Sequence, residues 1–358
     1  MKKIPVHYVG DDRETILQQP TMSREKFIEV VGWDHPSINF DKTDWNFAGK
    51  RTVWSQNQIA KESNNTIHND DLLGCFNIEF NVTDLCNRRC WMCPHTNEEL
   101  FPNSPGMMQL NTVKNVVDTL IDYNYRNGIT FGSWGEPWLN PNIVDMVAYV
   151  SEKLPLAQSM LYTNGDRLLK GSIPGYGEID IKDFMHAGLT ELHVDIYDND
   201  ERCAQILNKM KPIIGVVNLV IHRRYKMVNS TIFLTRAGTM DPLTGLKPTD
   251  NERRNNKRLA QKMRKCFAPI AGAFIDVDGS TRACCHEWNR ELPIGGNVND
   301  TPFPELYRHS ESMNKLRKTL LESRTLVSPC DQCDAAGGIR SRSGKYAEEL
   351  WQPVLDKL

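Results

Sequence analysis

The residues best suited to chemistry are three cysteines in the run Cys86-Asn-Arg-Arg-Cys90-Trp-Met-Cys93-Pro94. Spacings of four and three within a loop let three thiolates converge on a soft metal centre, and iron–sulfur clusters are held by such cysteines. Three protein ligands on a four-iron cubane leave one iron open, and a small molecule can bind and react there. Zinc is the competing occupant. It takes four ligands as a rule, and His95 would have to supply the fourth from just beyond Pro94.

Four further cysteines, Cys266, Cys284, Cys330 and Cys333, form a second constellation. The run from Phe274 to Cys285 reads as two short strands about Asp278-Gly279, the strongest short hairpin signal, and the turn returns Cys284 toward Cys266. Two sequence-distant pairs can complete one tetrahedral or cubane site. Spacing alone does not separate zinc from iron–sulfur there, but the company of the first loop decides for iron–sulfur. Cys285 stands apart, because neighbours on a strand point to opposite faces. It is an alternate ligand, an inert packed thiol or a hydrogen-atom donor facing a substrate. Cys75 and Cys203 have no partners by spacing and read as buried.

The cysteines need elements to position them. A short strand, Phe76 to Phe80, leads into the first loop. Beyond it Asn111 is a helix-cap candidate, and Val113, Val116, Val117, Leu120 and Ile121 fall on one face of a helix. A strand at Ile129 to Gly132, a helix at Pro141 to Leu154 and a strand at Ser159 to Thr163 follow. Strand-like runs at Glu191 to Tyr197, Val216 to His222 and Ser230 to Leu234 alternate with helical stretches at Ile181 to His186 and Arg202 to Met210. Six alternating units imply parallel strands with right-handed crossovers, fewer than the eight of a closed barrel. A further helix is expected near Leu306 to Leu320.

In such folds ligands gather at the carboxyl ends of the strands. There the second strand runs into Gly135-Glu136, where a small residue admits close approach and a carboxylate can receive an ammonium group. The third ends in Thr163-Asn164-Gly165, whose polar atoms face a ligand or make a simple turn. Asp195, Tyr197, His222, Arg223 and Arg236 end the later strands, and Arg236 can pair with a carboxylate or phosphate.

The first loop resembles the cluster loop of the radical S-adenosylmethionine (radical SAM) superfamily. The resemblance implies that Cys86, Cys90 and Cys93 carry a 4Fe-4S cluster and that S-adenosyl-L-methionine (SAM) fills the open iron. Phe131 to Pro137 looks like the family's Gly-Gly-Glu element, which binds the SAM amino group; Gly135 and Glu136 match it and Trp134 replaces its first glycine. Met92 stands where the family usually has an aromatic residue beside the adenine, and Thr163-Asn164-Gly165 is similar to a run often found there. The implied fold is α/β, a partial (β/α)6 barrel over about residues 75–240. A small α+β region over residues 263–340 is similar to the twitch form of the SPASM domain, with one auxiliary 4Fe-4S cluster on Cys266, Cys284, Cys330 and Cys333. Residues 1–74 read as an N-terminal extension with a short helix at Ser23 to Val31, residues 241–262 as a linker and basic helix, and residues 341–358 as a C-terminal helix.

By the same resemblance the chain is an enzyme of the aminocyclitol dehydrogenase type. It would cleave SAM reductively and take a hydrogen atom from a small polar substrate, a sugar, aminocyclitol or similar, giving oxidation or epimerisation. Maturation of a ribosomally made peptide is the competing substrate class, but no peptide-recognition winged helix is evident in the N-terminal region. A non-catalytic iron–sulfur or zinc protein would explain the cysteines and not Gly135-Glu136.

Composition agrees with an ordinary globular chain: 358 residues, 40% hydrophobic, 25% charged, net charge −2. That balance creates no global field for nucleic acid, and no apolar run approaches the ~18 residues of a membrane span. The start, Met1-Lys2-Lys3-Ile4-Pro5, lacks a signal-peptide core, so the cytoplasm is expected. Ten cysteines there serve metal or redox chemistry rather than disulfides. The basic run from Arg253 to Lys265 suits an acidic electron donor such as a flavodoxin or ferredoxin.

Overall fold

The computed structural model describes residues 75–90, 93–171, 178–210, 217–224 and 265–333, the single residues 72, 237, 239 and 335, and the backbone of residues 2–9 and 15–19. Nine strands are described: β1 (Lys2–Val9), β2 (Thr15–Gln19), β3 (Asn77–Asn81), β4 (Gly128–Gly132), β5 (Gln158–Thr163), β6 (Glu191–Ile196), β7 (Asn218–Arg223), β8 (Gly272–Ile275) and β9 (Thr281–Arg282). They form one sheet in the order β2-β1-β7-β6-β5-β4-β3-β8-β9. Pairing is parallel from β1 through β8, and the terminal pairs β1–β2 and β8–β9 are antiparallel.

The central run β3 to β7 matches the first five strands expected from the sequence, within two residues at each end. The sixth, Ser230 to Leu234, lies outside the described residues, as do the helix at Ser23 to Val31, the basic run Arg253 to Arg264 and residues 341–358. The places beside β7 and β3 are taken by strands far from them in sequence, β1 near residue 1 and β8 after residue 265. Periodicity within a segment does not reveal such pairing, because a strand's partner is set by long-range register.

Helices α1 (Leu110–Ile121), α2 (Ile143–Lys153), α3 (Asp166–Lys170), α4 (Ile181–His186) and α5 (Asp200–Met210) connect the parallel strands. On α1 the buried residues Val113, Val116, Val117 and Leu120 form the apolar stripe, and Ile143, Met146, Val147 and Val150 do the same on α2. Each such side chain contributes about 1.5–3 kcal/mol by leaving water. Helix α1 begins at Leu110 with Gln109 as its cap position and no side-chain cap, so Asn111 lies inside the helix. The strands turn Ile78, Phe80, Ile129, Phe131, Leu161, Leu192 and Val194 into this core. Residues of alternate parity face the other way, which turns Asn77, Glu79, Thr130, Tyr162 and Asp195 to the barrel interior. The inner surface is therefore polar.

After α6 (Ala268–Ala271) the predicted hairpin forms, with Gly279 at φ 87° in the turn between β8 and β9. A Cβ there would lie 2.4 Å from Asn299 Nδ2, so both conformation and space call for glycine. The single helix expected at Leu306 to Leu320 is two, α7 (Phe303–His309) and α8 (Glu311–Glu322). Ser310 breaks it by leaving the helical region and accepting a hydrogen bond from Met313 N as the cap of α8. No helix among the described residues is long and apolar enough to cross a membrane.

Candidate active site

Cys86, Cys90 and Cys93 line one cavity of about 400 Å³ at the carboxyl end of the barrel strands. The loop carrying them is held by its own polar residues. Cys86 N donates to Asn103 Oδ1 at 2.8 Å, Leu85 N to Thr83 Oγ1 at 3.0 Å, and Cys93 N to Cys90 O at 2.8 Å. Arg88 grips Asp166 with Nε at 3.0 Å and Nη2 at 2.5 Å and reaches Asp198 at 2.9 Å. Asn87 donates to Asp166 and accepts from Asn164 Nδ2, at 2.9 and 2.8 Å. The loop is thus fastened to the strand ends that form the other side of the cavity.

Burial pushes the Cys86 and Cys90 thiols up to about 12, and each lies within the field of Cys93. Thiols brought together in low dielectric need a metal to ionise. Among the described residues no three His, Cys, Asp or Glu side chains are arranged to hold a single ion. His95 is buried, its Nε2 lies 3.0 Å from Trp134 O, and it is not grouped with the three thiols around one ion. The donor set therefore fits a cluster, whose thiolates bind separate irons.

Gly135 and Glu136 sit against this loop. Glu136 N donates to Leu85 O at 2.7 Å. A Cβ on Gly135 would lie 2.2 Å from Thr83 O and 2.5 Å from Leu85 O, so the glycine makes room for the loop backbone itself. The Glu136 carboxylate is buried, accepting from Thr163 Oγ1 at 2.7 Å and Asn164 N at 2.8 Å. Burial raises its pKa to about 7 despite these donors. Thr163 and Asn164 also line the cavity. A buried carboxylate lining the same cavity as the thiol trio can receive an ammonium group.

The second set also converges. Burial pushes the Cys284 thiol well above its usual range, reinforced by the thiols of Cys285, Cys266, Cys330 and Cys333. Cys266 and Cys330 pack on Ala283, Leu292, Met313, Leu316 and Leu320, which makes the surroundings apolar. Arg324, buried, donates to Cys333 O at 3.3 Å, Ala335 O at 2.8 Å and Lys265 O at 2.9 Å, tying together the two ends of the region. Cys285 faces the other way and lines the cavity with Cys86, Cys90 and Cys93.

Met92 and Arg236 lie outside the described residues. The cavity wall that sequence reasoning missed comprises Glu79, Ser133, Tyr162, Arg224 and Trp288. Alternation along β3 signalled Glu79, since Ile78 and Phe80 belong to the core. Arg224 carried no such signal. Its Nε donates to Asp195 Oδ1 at 2.7 Å, just past the end of β7.

Residues 80–229 match the radical SAM superfamily, and residues 266–334 match SPASM, an iron–sulfur cluster-binding domain. The S-adenosyl-L-methionine-dependent 2-deoxy-scyllo-inosamine dehydrogenase of Niallia circulans is 24% identical over 261 residues, 72% of this chain and 92% of that protein. GTP 3',8-cyclase of Pasteurella multocida (strain Pm70) is 27% identical over 141 residues, which span 38% of this chain and 39% of the cyclase. The crystal structure of BtrN in complex with AdoMet and 2-DOIA superposes with a TM-score of 0.57 at 20% identity, over 73% of this chain and 93% of that one, a likeness of fold. The first match contains the Cys86 to Cys93 loop, Glu136 and Asn164, and the second contains all four cysteines of the other set. The chain thus carries a radical SAM domain over residues 80–229 and an iron–sulfur cluster-binding SPASM domain over residues 266–334, the equipment of an enzyme that works with S-adenosylmethionine, a 4Fe-4S cluster and an auxiliary iron–sulfur cluster.

Proposed function

We propose that the chain oxidises a small, polyhydroxylated or amino-substituted ring compound of the aminocyclitol or sugar class. The observation that carries this reading is the polar inner surface: Asn77, Glu79, Thr130, Tyr162, Asp195 and Arg224 surround a cavity of about 400 Å³ beside the three thiols. Such a surface matches a ligand dense in hydroxyl and amino groups, because buried donors and acceptors must find partners. The resemblance to the 2-deoxy-scyllo-inosamine dehydrogenase points the same way.

In this reading Cys86, Cys90 and Cys93 hold the SAM cluster and Cys266, Cys284, Cys330 and Cys333 the auxiliary one. Glu136 receives the SAM amino group, with Thr163 and Asn164 setting its orientation. When bound, these groups supply a 5′-deoxyadenosyl radical that removes a hydrogen atom and an acceptor for the second electron. The protein's share is to hold the ring against Glu79, Asp195, Tyr162 and Arg224 and to exclude water with Trp134 and Trp288. A one-electron donor such as a flavodoxin or ferredoxin would start the cycle in the cytoplasm. Residues 75–240 and 263–340 are the functional units.

Cys285 supports a second outcome, epimerisation, since its thiol faces the cavity and can return a hydrogen atom. Anaerobic turnover of carbon-deuterated aminocyclitols and sugars tests both. Deuterium in 5′-deoxyadenosine together with a trapped carbonyl product supports oxidation. Solvent deuterium in an inverted product, lost in Cys285→Ala, supports epimerisation. SAM cleavage with neither product from any such ring compound defeats the reading.

A further inference from the structure

Behind the cavity the barrel interior holds buried titratable groups that the chemistry above leaves unused. Glu191 and His193 share one face of β6, and His222 stands on β7 opposite Asp195. Their exposures are 3, 7 and 7%. His193 Nε2 is bonded to Glu191 Oε1, and the other Glu191 oxygen accepts from Gln158 Nε2 at 3.0 Å. His193 Nδ1 lies 2.9 Å from His222 Nε2. Tyr162, a cavity-lining residue, stacks on the His193 ring at 4.1 Å. His222 Nδ1 is buried with no hydrogen-bond partner among the described residues.

These contacts set the protons. A carboxylate only accepts, so His193 carries its hydrogen on Nε2 and presents a bare Nδ1. His222 must then donate from Nε2, which leaves its own Nδ1 as a free lone pair. That lone pair belongs to a ring held neutral by burial, with its pKa down at about 4. The ring lies in the fields of Asp195 and Arg224, both of which line the cavity.

We propose that His222, His193 and Glu191 form a proton relay that draws the substrate's hydroxyl proton out of the cavity by way of Asp195. This rests on the oxidation reading. The substrate C–H bond breaks, its hydrogen atom joining the 5′-deoxyadenosyl group, and the remaining electron passes to a one-electron iron–sulfur acceptor. The hydroxyl proton moves to the Asp195 carboxylate and, since no direct hydrogen bond joins the two, through a bridging water to His222 Nδ1 as the carbonyl forms. The hydrogen on His222 Nε2 shifts to His193 Nδ1, and that on His193 Nε2 shifts to Glu191. Both rings end neutral and Glu191 ends protonated. Arg224 pairs with Asp195 and, against the raising effect of burial, holds its pKa below the usual carboxylate range, so the carboxylate passes a proton on rather than keeping it.

Two measurements on the iron-loaded full chain test this. Histidine ¹⁵N spectra, assigned with His222→Phe and His193→Phe, should show both rings as Nε2–H tautomers; a proton resting on His222 Nδ1 overturns the relay whatever the substrate. His193→Gln keeps an acceptor toward His222 and a donor toward Glu191 but cannot pass a proton. It should load iron and bind SAM as wild type, transfer substrate deuterium to 5′-deoxyadenosine within about twofold, and form ketone at least about tenfold more slowly. Wild-type ketone rates in His193→Gln overturn the relay. If wild type cleaves SAM but gives no ketone, the oxidation reading has failed, and the tautomer result still decides whether the chain of protons exists.

Discussion

Arg290 donates from Nη2 to both carboxylate oxygens of Asp84, at 2.9 and 2.8 Å, two residues ahead of Cys86. The same guanidinium holds Asp276 on the auxiliary hairpin, with Nε at 2.7 Å and Nη2 at 2.8 Å. Asn81, at the end of β3, bridges the two carboxylates at 2.9 and 3.0 Å. Burial raises the Asp84 pKa, with Arg290 opposing, whereas at Asp276 the raising effect of burial is outweighed by Arg290, Asn81 and the Val277 amide acting together, and the pKa is lowered. One cation therefore ties the SAM-cluster loop to the auxiliary region.

Arg290→Ala should leave the buried Asp84 carboxylate without its cation, while Asp276 keeps Arg282 at 2.5 Å, and lower stability by about 2–4 kcal/mol. Anaerobic urea unfolding of the reconstituted protein checks this, and Arg290→Lys should recover only part of the loss, because a single ammonium cannot serve both carboxylates.

Glu136→Gln should weaken SAM binding about 10- to 100-fold, the worth of a charge-assisted hydrogen bond. The pH dependence has a definite sign. With its pKa raised to about 7, the carboxyl carries a proton below that pH and cannot attract an ammonium group. Wild-type affinity for SAM should therefore rise as pH increases toward 7 and fall again as the α-amino group loses its proton at about 8. The glutamine variant, titrated by calorimetry from pH 6 to 8, should lack this rise.

Gly135→Ala forces a Cβ to within 2.2 Å of Thr83 O and 2.5 Å of Leu85 O. Backbone on both sides cannot yield as a flexible side chain would. The loop that presents Cys86 should shift, and the variant should bind substantially less iron and sulfide per chain than wild type while far-ultraviolet circular dichroism stays unchanged.

Cys284→Ala and Cys285→Ala should differ sharply although the residues are neighbours. Loss of Cys284 should cut iron from about eight to about four atoms per chain, since in the proposed assignment it removes an auxiliary ligand. Loss of Cys285 should leave iron content near wild type. Iron analysis and electron paramagnetic resonance of the dithionite-reduced proteins distinguish the two, and equal iron loss in both would refute the division of roles.

Much of this was legible in the chain itself. Alternation on β3 and β6 and the apolar stripes of α1 and α2 marked the parallel core, because those periods are local. The strand alternation expected at Cys284 and Cys285 is not what separates them: β9 ends at Arg282 and both lie past it, Cys285 lining the cavity and Cys284 among the thiols of the other set. The break at Ser310 was missed, since a side-chain cap inside an otherwise helical pattern competes with the helix only through its own geometry.

Residue types and short spacings determined which thiols could share a centre, and that Gly135-Glu136 would stand at a strand end, since a loop of a few residues limits how far its side chains can spread. Only the tertiary structure decided that β1 and β8 flank the barrel, that Glu79 and Arg224 wall the cavity, that the histidines stack beneath Tyr162, and that Arg290 reaches Asp84. Those relationships depend on strand register and on contacts between distant positions such as His7 with Val220 and Asp84 with Arg290, where chain connectivity imposes almost no constraint and packing makes the choice.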